Sequence, residues 1–153
     1  MGRRLTTFDD LYVGQQASVT KTITKEAVAH FIAITGDVNP LHVDESFAQQ
    51  TFFKRPIAHG MLSAALFSYI VGMLLPGTGA IYRSQSLVFL RPVYVGDTLK
   101  ASLEIIEIDR EAELIEMQGM IRNQNDQAVI EGKATATLLR GFQKPPPIDI
   151  TGA

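Results

Sequence analysis

The sequence predicts an α+β fold in which one apolar helix is buried by an antiparallel sheet. Two observations point there. The stretch IAHGMLSAALFSYIVGMLL, Ile57 to Leu75, runs nineteen residues without a Lys, Arg, Asp or Glu, and a helix apolar all round must be covered by something. The chain then changes period: AIYRSQSLVFL, DTLKASLEIIEID, AELIEMQGMIRN and QAVIEGKATATLL read as four strands. The links between them are short and turn-forming, which predicts antiparallel neighbours. The 153 residues, 46% hydrophobic and 20% charged, suit one domain with a real core.

The elements follow in order. QASVTKTITK alternates, with Ala17, Val19 and Ile23 on one side and Ser18, Thr20 and Thr22 on the other, as in a strand with one wet face. Thr24 can cap a short helix, KEAVAHFIAIT, with Glu26 in its favourable first turn and Gly36 ending it. DESFAQQ reads as a further turn or two of helix. Lys54-Arg55-Pro56 is a stop before the apolar stretch, which the spacing predicts as helix from Ile57; PGTG, from Pro76, ends it. Among the strands, Ile105-Ile106 breaks alternation and predicts a bulge. In the last run Ala128, Ile130, Gly132, Ala134, Ala136 and Leu138 face one way, and Val129, Glu131, Lys133, Thr135 and Thr137 the other. One domain is expected over residues 1–140, with a Pro-containing tail, 141–153, extended and weakly ordered.

Composition narrows the function. Net charge is −2, with no basic run, so there is no electrostatic case for nucleic acid or an anionic membrane surface. The absence of Cys removes disulfides, a thiolate nucleophile and Cys-ligated metal. MGRRLTTFDDLYVG has no apolar stretch after its arginines, so it does not read as a secretory signal, and a cytoplasmic location is the default expectation. At 1.5 Å per residue the apolar stretch would be about 28 Å long, enough to cross a bilayer. Against that, it is a lone candidate span, it carries a His and two Ser, and its partner half forms strands. Small residues recur in it every four positions, at Gly60, Ala64, Ser68 and Gly72. Packing of this stripe against the small residues of the last strand is the expectation for a soluble protein.

TGDVNPLH, Thr35 to His42, carries the chemistry. It sets Asp37 and His42 five residues apart across a turn stiffened by Pro40. A carboxylate and an imidazole held convergently can share one water and move protons in and out of it. Gly-Asp and Asn-Pro are also everyday turn residues, and Asp37 bonding only backbone amides is the competing reading.

FIAITGDVNPLHVDESFA resembles the hydratase 2 signature of MaoC-like (R)-specific enoyl-CoA hydratases, through Phe31, Ile34, Thr35, Gly36, Asp37, Asn39, Pro40, Leu41, His42 and Ala48. RPIAHGMLSAALFS and IYRSQSLVFLRPVYVGD are similar to the family's central helix and the strand and turn after it, and the likeness runs from about residue 8 to 140. The resemblance implies a hot-dog fold, a long central helix wrapped by a strongly twisted antiparallel sheet, paired into a homodimer. It implies reversible hydration of a trans-2-enoyl-CoA to an (R)-3-hydroxyacyl-CoA, with coenzyme A part of the substrate and no metal or other cofactor. Asp37 and His42 match the catalytic pair, base and acid not individually assigned.

Negative charge developing on the thioester oxygen needs a donor, and the Gly60 amide at the head of the central helix is the expected one. Ser68 resembles a family pocket residue that supports the site by hydrogen bonding; bonding to its own helix carbonyl is the alternative. His59 is expected to orient the loop or satisfy a buried polar group. His30 is expected to be partly exposed and idle. Lys54, Arg55, Arg83 and Arg91 are read as surface cations, with contact to CoA phosphates as the other reading. Hot-dog thioesterases and the dehydratases of fatty-acid synthesis commonly carry a catalytic acid on the long helix, and none lies between Ile57 and Leu75. A non-catalytic acyl-thioester-binding module would need neither Asp37 nor His42. Acyl chain length, and service in polymer synthesis, fatty-acid oxidation or another route, stay open.

Overall fold

The computed structural model describes residues 4–139; the expected tail lies outside them. After a short 3-10 turn at Phe8–Asp10 come β1 (Gln16–Thr22), α1 (Lys25–Thr35), α2 (Pro40–Val43), α3 (Glu45–Gln50), α4 (Gly60–Ala64) and α5 (Leu66–Met73). The rest is β2 (Ala80–Gln85), β3 (Val88–Phe89), β4 (Thr98–Asp109), β5 (Leu114–Arg122) and β6 (Ala128–Leu138). The six strands form one antiparallel sheet in the order β1-β4-β5-β6-β2, with β3 also on β6. This is the α+β layout the sequence predicts.

Local chemistry sets α1 as expected. The Thr24 hydroxyl accepts from the Ala27 amide, and Gly36 closes the helix at φ 73°. That left-handed conformation costs a glycine nothing. Hydrogen bonds from its own amide and from the Thr24 hydroxyl hold the Glu26 carboxyl below the usual carboxylate range. β1 stops at Thr22, short of the predicted Lys25, because Ile23 leaves the ladder to exchange backbone bonds with Gly96 and Asp97.

The apolar stretch differs from its sequence reading in two ways. The helix starts at Gly60, not Ile57: Ile57 bridges to Tyr94, and the Ala58 amide donates to the Val93 carbonyl. The helix also has an irregular step at Ala65, where the Ser68 amide bonds the Ala65 carbonyl, a tighter i−3 contact. Among the described residues no helix is long and apolar enough to cross a membrane.

The buried face of the helix is Ala64, Phe67, Ile70 and Val71, packed with Leu75 on strand residues including Leu99, Leu103, Ile105, Met117 and Ile121. The small-residue stripe does not match the last strand as expected. Ser68 and Gly72 are exposed, and a methyl group on Gly72 would meet nothing within 4 Å. Close approach occurs instead at two strand glycines. Gly119 on β5 makes room for Phe67, whose ring lies 2.9 Å from where a Cβ would be. Gly132 on β6 makes room for the backbone of Ser86.

That crossing explains why AIYRSQSLVFL is two strands rather than one. The chain steps over Gly132 at Ser86, whose amide bonds the Lys133 carbonyl and whose hydroxyl accepts the Lys133 amide. The predicted bulge is present, with the register shifting between Ile105 and Glu107. A second irregularity, between Ile121 and Arg122 on β5, leaves Val129 without a partner on that strand. Val129 is therefore buried beside Ile130, not turned to the opposite face as simple alternation predicts.

A methyl group at position 132 would lie 1.9 Å from the Ser86 carbonyl oxygen. Gly132→Ala is expected to cost about 2–3 kcal/mol, read as a lower urea midpoint at unchanged slope. A loss below about 0.5 kcal/mol would contradict the close crossing.

Candidate active site

The loop after α1 is built from side chains that satisfy its own backbone. Thr35 Oγ1 accepts from the Asp37 amide at 3.2 Å, Asp37 Oδ1 from the Asn39 amide at 3.1 Å, and Asn39 Oδ1 from the Leu41 amide at 3.0 Å. These are Asx- and ST-type turns, and Pro40 at the first position of α2 suits its fixed φ. Asp44 then caps α3, accepting from the Phe47 amide at 2.9 Å. The competing reading of Asp37 is half right: one carboxylate oxygen serves the turn. The other, Oδ2, points toward His59 Nε2 at 3.8 Å, and the side chain is 48% exposed.

His42, at the end of the same turn, is held from the other side. Its Nδ1 is 2.8 Å from the carbonyl oxygen of Ile57. A carbonyl only accepts, so Nδ1 carries the proton and Nε2 is the nitrogen left to exchange protons. The Ile57 amide in turn donates to the Leu41 carbonyl at 3.0 Å. His59, 3% exposed, is stacked on His42 with ring centroids 3.8 Å apart, and its Nε2 donates to the Asp37 carbonyl at 3.0 Å.

A cavity of about 570 Å³ opens at His42, with Asp37 and His59 behind that ring and outside the cavity wall. His42 and Gly60 are in its wall, with apolar surface from Phe52, Phe53, Met61, Phe89 and Leu90 among others. That size and lining suit a small-molecule site. Among the described residues no backbone or side-chain acceptor takes the Gly60 amide, so it is a spare donor at the helix head. Phe89 lies across Gly60, its ring 2.6 Å from where a Cβ would be, so any side chain there would have to displace the ring.

The structure thus brings together Asp37, His42, His59 and Gly60. It does not bring Ser68 to them: Ser68 is exposed on α5 and is not in the cavity wall. His30 is exposed on α1. Arg91 reaches the cavity wall and donates to the Ala128 carbonyl at 2.7 Å, while Arg55 lies over the Tyr94 ring at 4.0 Å. Lys54 and Arg83 are exposed. Sequence reasoning missed the apolar wall. Phe52-Phe53 in a polar loop was its one local signal, whereas Phe89 and Leu90 come from a strand segment with no pattern to mark them.

Asp37, His42 and His59 each place a ligand-type atom within 4.8 Å of the others. The two imidazoles lie 32° from parallel, face on face, so their in-plane lone pairs run side by side rather than converging on one tetrahedral ion. One nitrogen of each also donates to a carbonyl. The arrangement suits proton transfer better than metal ligation.

Comparison with known proteins agrees with the geometry. The family model described as "MaoC like domain" matches residues 13–126. The (R)-specific enoyl-CoA hydratase of Aeromonas caviae is 42% identical over 84% of this chain and 96% of its own. That of Rhodospirillum rubrum is 43% identical over 84% of this chain and 88% of its own. An unliganded R-hydratase from Pseudomonas aeruginosa superposes with a TM-score of 0.82 at 38% identity, over 95% of this chain and 97% of its own. With the fold, the Gly-Asp-x-Asn-Pro-Leu-His turn and the matched span in agreement, the chain belongs to the MaoC-like domain family.

Proposed function

We propose that this protein is an (R)-specific enoyl-CoA hydratase, a hydro-lyase that adds water reversibly across a trans-2-enoyl-CoA to give the (R)-3-hydroxyacyl-CoA. The single observation that carries the mechanism is the convergence of Asp37 and His42 beside an apolar cavity at the head of a helix. In this reading the pair binds one water. Its oxygen forms a bond to C3 as the C2=C3 π electrons move toward the thioester; one proton passes from the water to the pair, and one passes from the pair to C2. His42 acts through Nε2, since Nδ1 is held by the Ile57 carbonyl. The thioester oxygen gains charge meanwhile, and the Gly60 amide is placed to receive it. The apolar wall takes the acyl chain. No resident cofactor enters the scheme, and CoA comes and goes with the substrate.

Two further parts belong to this reading. The outer face of α4 and α5 carries exposed apolar side chains, Met61, Tyr69 and Met73, beside the exposed Ser68 and Gly72, with Leu74 exposed just past the helix end. A row of large apolar and small residues on one helix face suits a second copy of the chain, and a homodimer through it would place Ser68 between the copies. A cytoplasmic setting follows from the substrate, a polyanionic thioester that does not cross a bilayer unaided.

Purified protein given crotonyl-CoA is expected to remove the conjugated enoyl absorbance without releasing free thiol. Thiol release would make it a thioesterase instead, and neither signal with short or long enoyl chains would leave a binding module. Asp37→Asn and His42→Ala are each expected to lower kcat at least about 100-fold, the usual worth of general acid–base catalysis, with circular dichroism unchanged. Wild-type turnover in either variant would remove that residue from the scheme. In sedimentation, the wild type is expected at twice the chain mass and Met73→Glu shifted toward monomer; a monomeric wild type would contradict the dimer.

A further inference from the structure

One buried side chain touches both members of the proposed pair. His59 precedes α4, and its ring Nε2 reaches back across 22 residues to the Asp37 carbonyl at 3.0 Å, with Asp37 Oδ2 at 3.8 Å. Its face supports His42 at 3.8 Å, and Phe31 closes in on it at 4.9 Å. It is the most buried titratable side chain among the described residues and is absent from the cavity wall. Donation from Nε2 to a carbonyl leaves Nδ1 as an acceptor. That Nδ1 and the hydroxyl of Ser63 are both buried without a hydrogen-bond partner among the described residues. Ser63 lies one helical turn on, on the same face as His59.

We infer that His59 is a positioning residue for the hydration reaction, acting through Asp37 and His42 rather than on the substrate. Its Nε2–H ties the Asp37 turn to the head of the central helix, and its ring fixes the plane in which His42 can swing. The Asp37 carbonyl only accepts, and its contact with Nε2 is what keeps the proton on that nitrogen. Turn and helix approach each other from separate segments, and their relative placement decides whether carboxylate and imidazole meet at one water. A displacement near 1 Å there costs on the order of 100-fold in rate. The inference rests on the hydratase reading of Asp37 and His42.

His59→Gln and His59→Asn separate this role from simple core filling. Both are polar and fit the site, but the Gln amide reaches the Nε2 position whereas the Asn amide reaches only that of Nδ1. With crotonyl-CoA, His59→Gln is expected to keep kcat within about 5-fold of wild type, and His59→Asn to lose about 30-fold or more, with KM moving less than about 3-fold in both. Equal kcat in the two variants, or a change confined to KM, would overturn the inference. A long-range 1H–15N spectrum of the wild-type imidazoles gives a reading that needs neither turnover nor a folded variant. His59 as the Nε2–H tautomer is expected, and the Nδ1–H tautomer would overturn the proposal. Failure of the wild type to hydrate any enoyl-CoA would sink the proposed function, and the ring spectrum would still decide whether His59 ties the turn as described.

Discussion

The carbonyl oxygen of Ile57 is the point on which the site turns. It accepts the Nδ1 proton of His42, while the amide of the same residue donates to Leu41, one residue before that histidine. Ala58 then bonds Val93, so three segments far apart in sequence are stitched within two residues. Each such bond contributes only about 1 kcal/mol net. Their value lies in geometry: they fix the imidazole's direction, its tautomer and the place where the central helix begins. That start puts Gly60 at the helix head, in the wall of the cavity that His42 also lines.

The sheet yields space at two glycines, one to the helix and one to the chain that crosses between β2 and β3. Phe67 sits over Gly119, and the Ser86 crossing sits over Gly132. In the first case a strand glycine admits an aromatic ring into the core; in the second it lets β3 fold back onto β6 and carry Phe89 across Gly60. Gly60 is a third instance, on the helix rather than the sheet. Of these three glycines Gly60 lies in the cavity wall, while Gly119 and Gly132 serve the packing behind it.

Local chemistry was legible in the sequence, and long-range backbone bonding was not. Thr24 and Gly36 bound α1 where capping rules put them, and the doubled Ile105-Ile106 marked a real bulge. The Asp37 to His42 turn was readable because its stiffness comes from its own residues. Ile57 and Ala58, in contrast, look like helix in any pattern, and only their bonds to Leu41, Tyr94 and Val93 take them out of it. Val129 was misplaced because the irregularity opposite it arises from pairing with β5, not from its own neighbours. The small residues of the predicted stripe do not share one face, since Ala64 is in the core while Ser68 and Gly72 are exposed beyond the irregular step at Ala65. Nor does sequence say which ring nitrogen meets which carbonyl, and on that the readings of His42 and His59 depend.

The most direct measurement is a crystal structure of the protein with a bound (R)-3-hydroxyacyl-CoA. The account predicts the C3 hydroxyl between the Asp37 carboxylate and His42 Nε2, within about 3 Å of each, and the thioester oxygen at similar distance from the Gly60 amide. A ligand whose hydroxyl met neither side chain, or whose thioester lay away from the helix head, would contradict it.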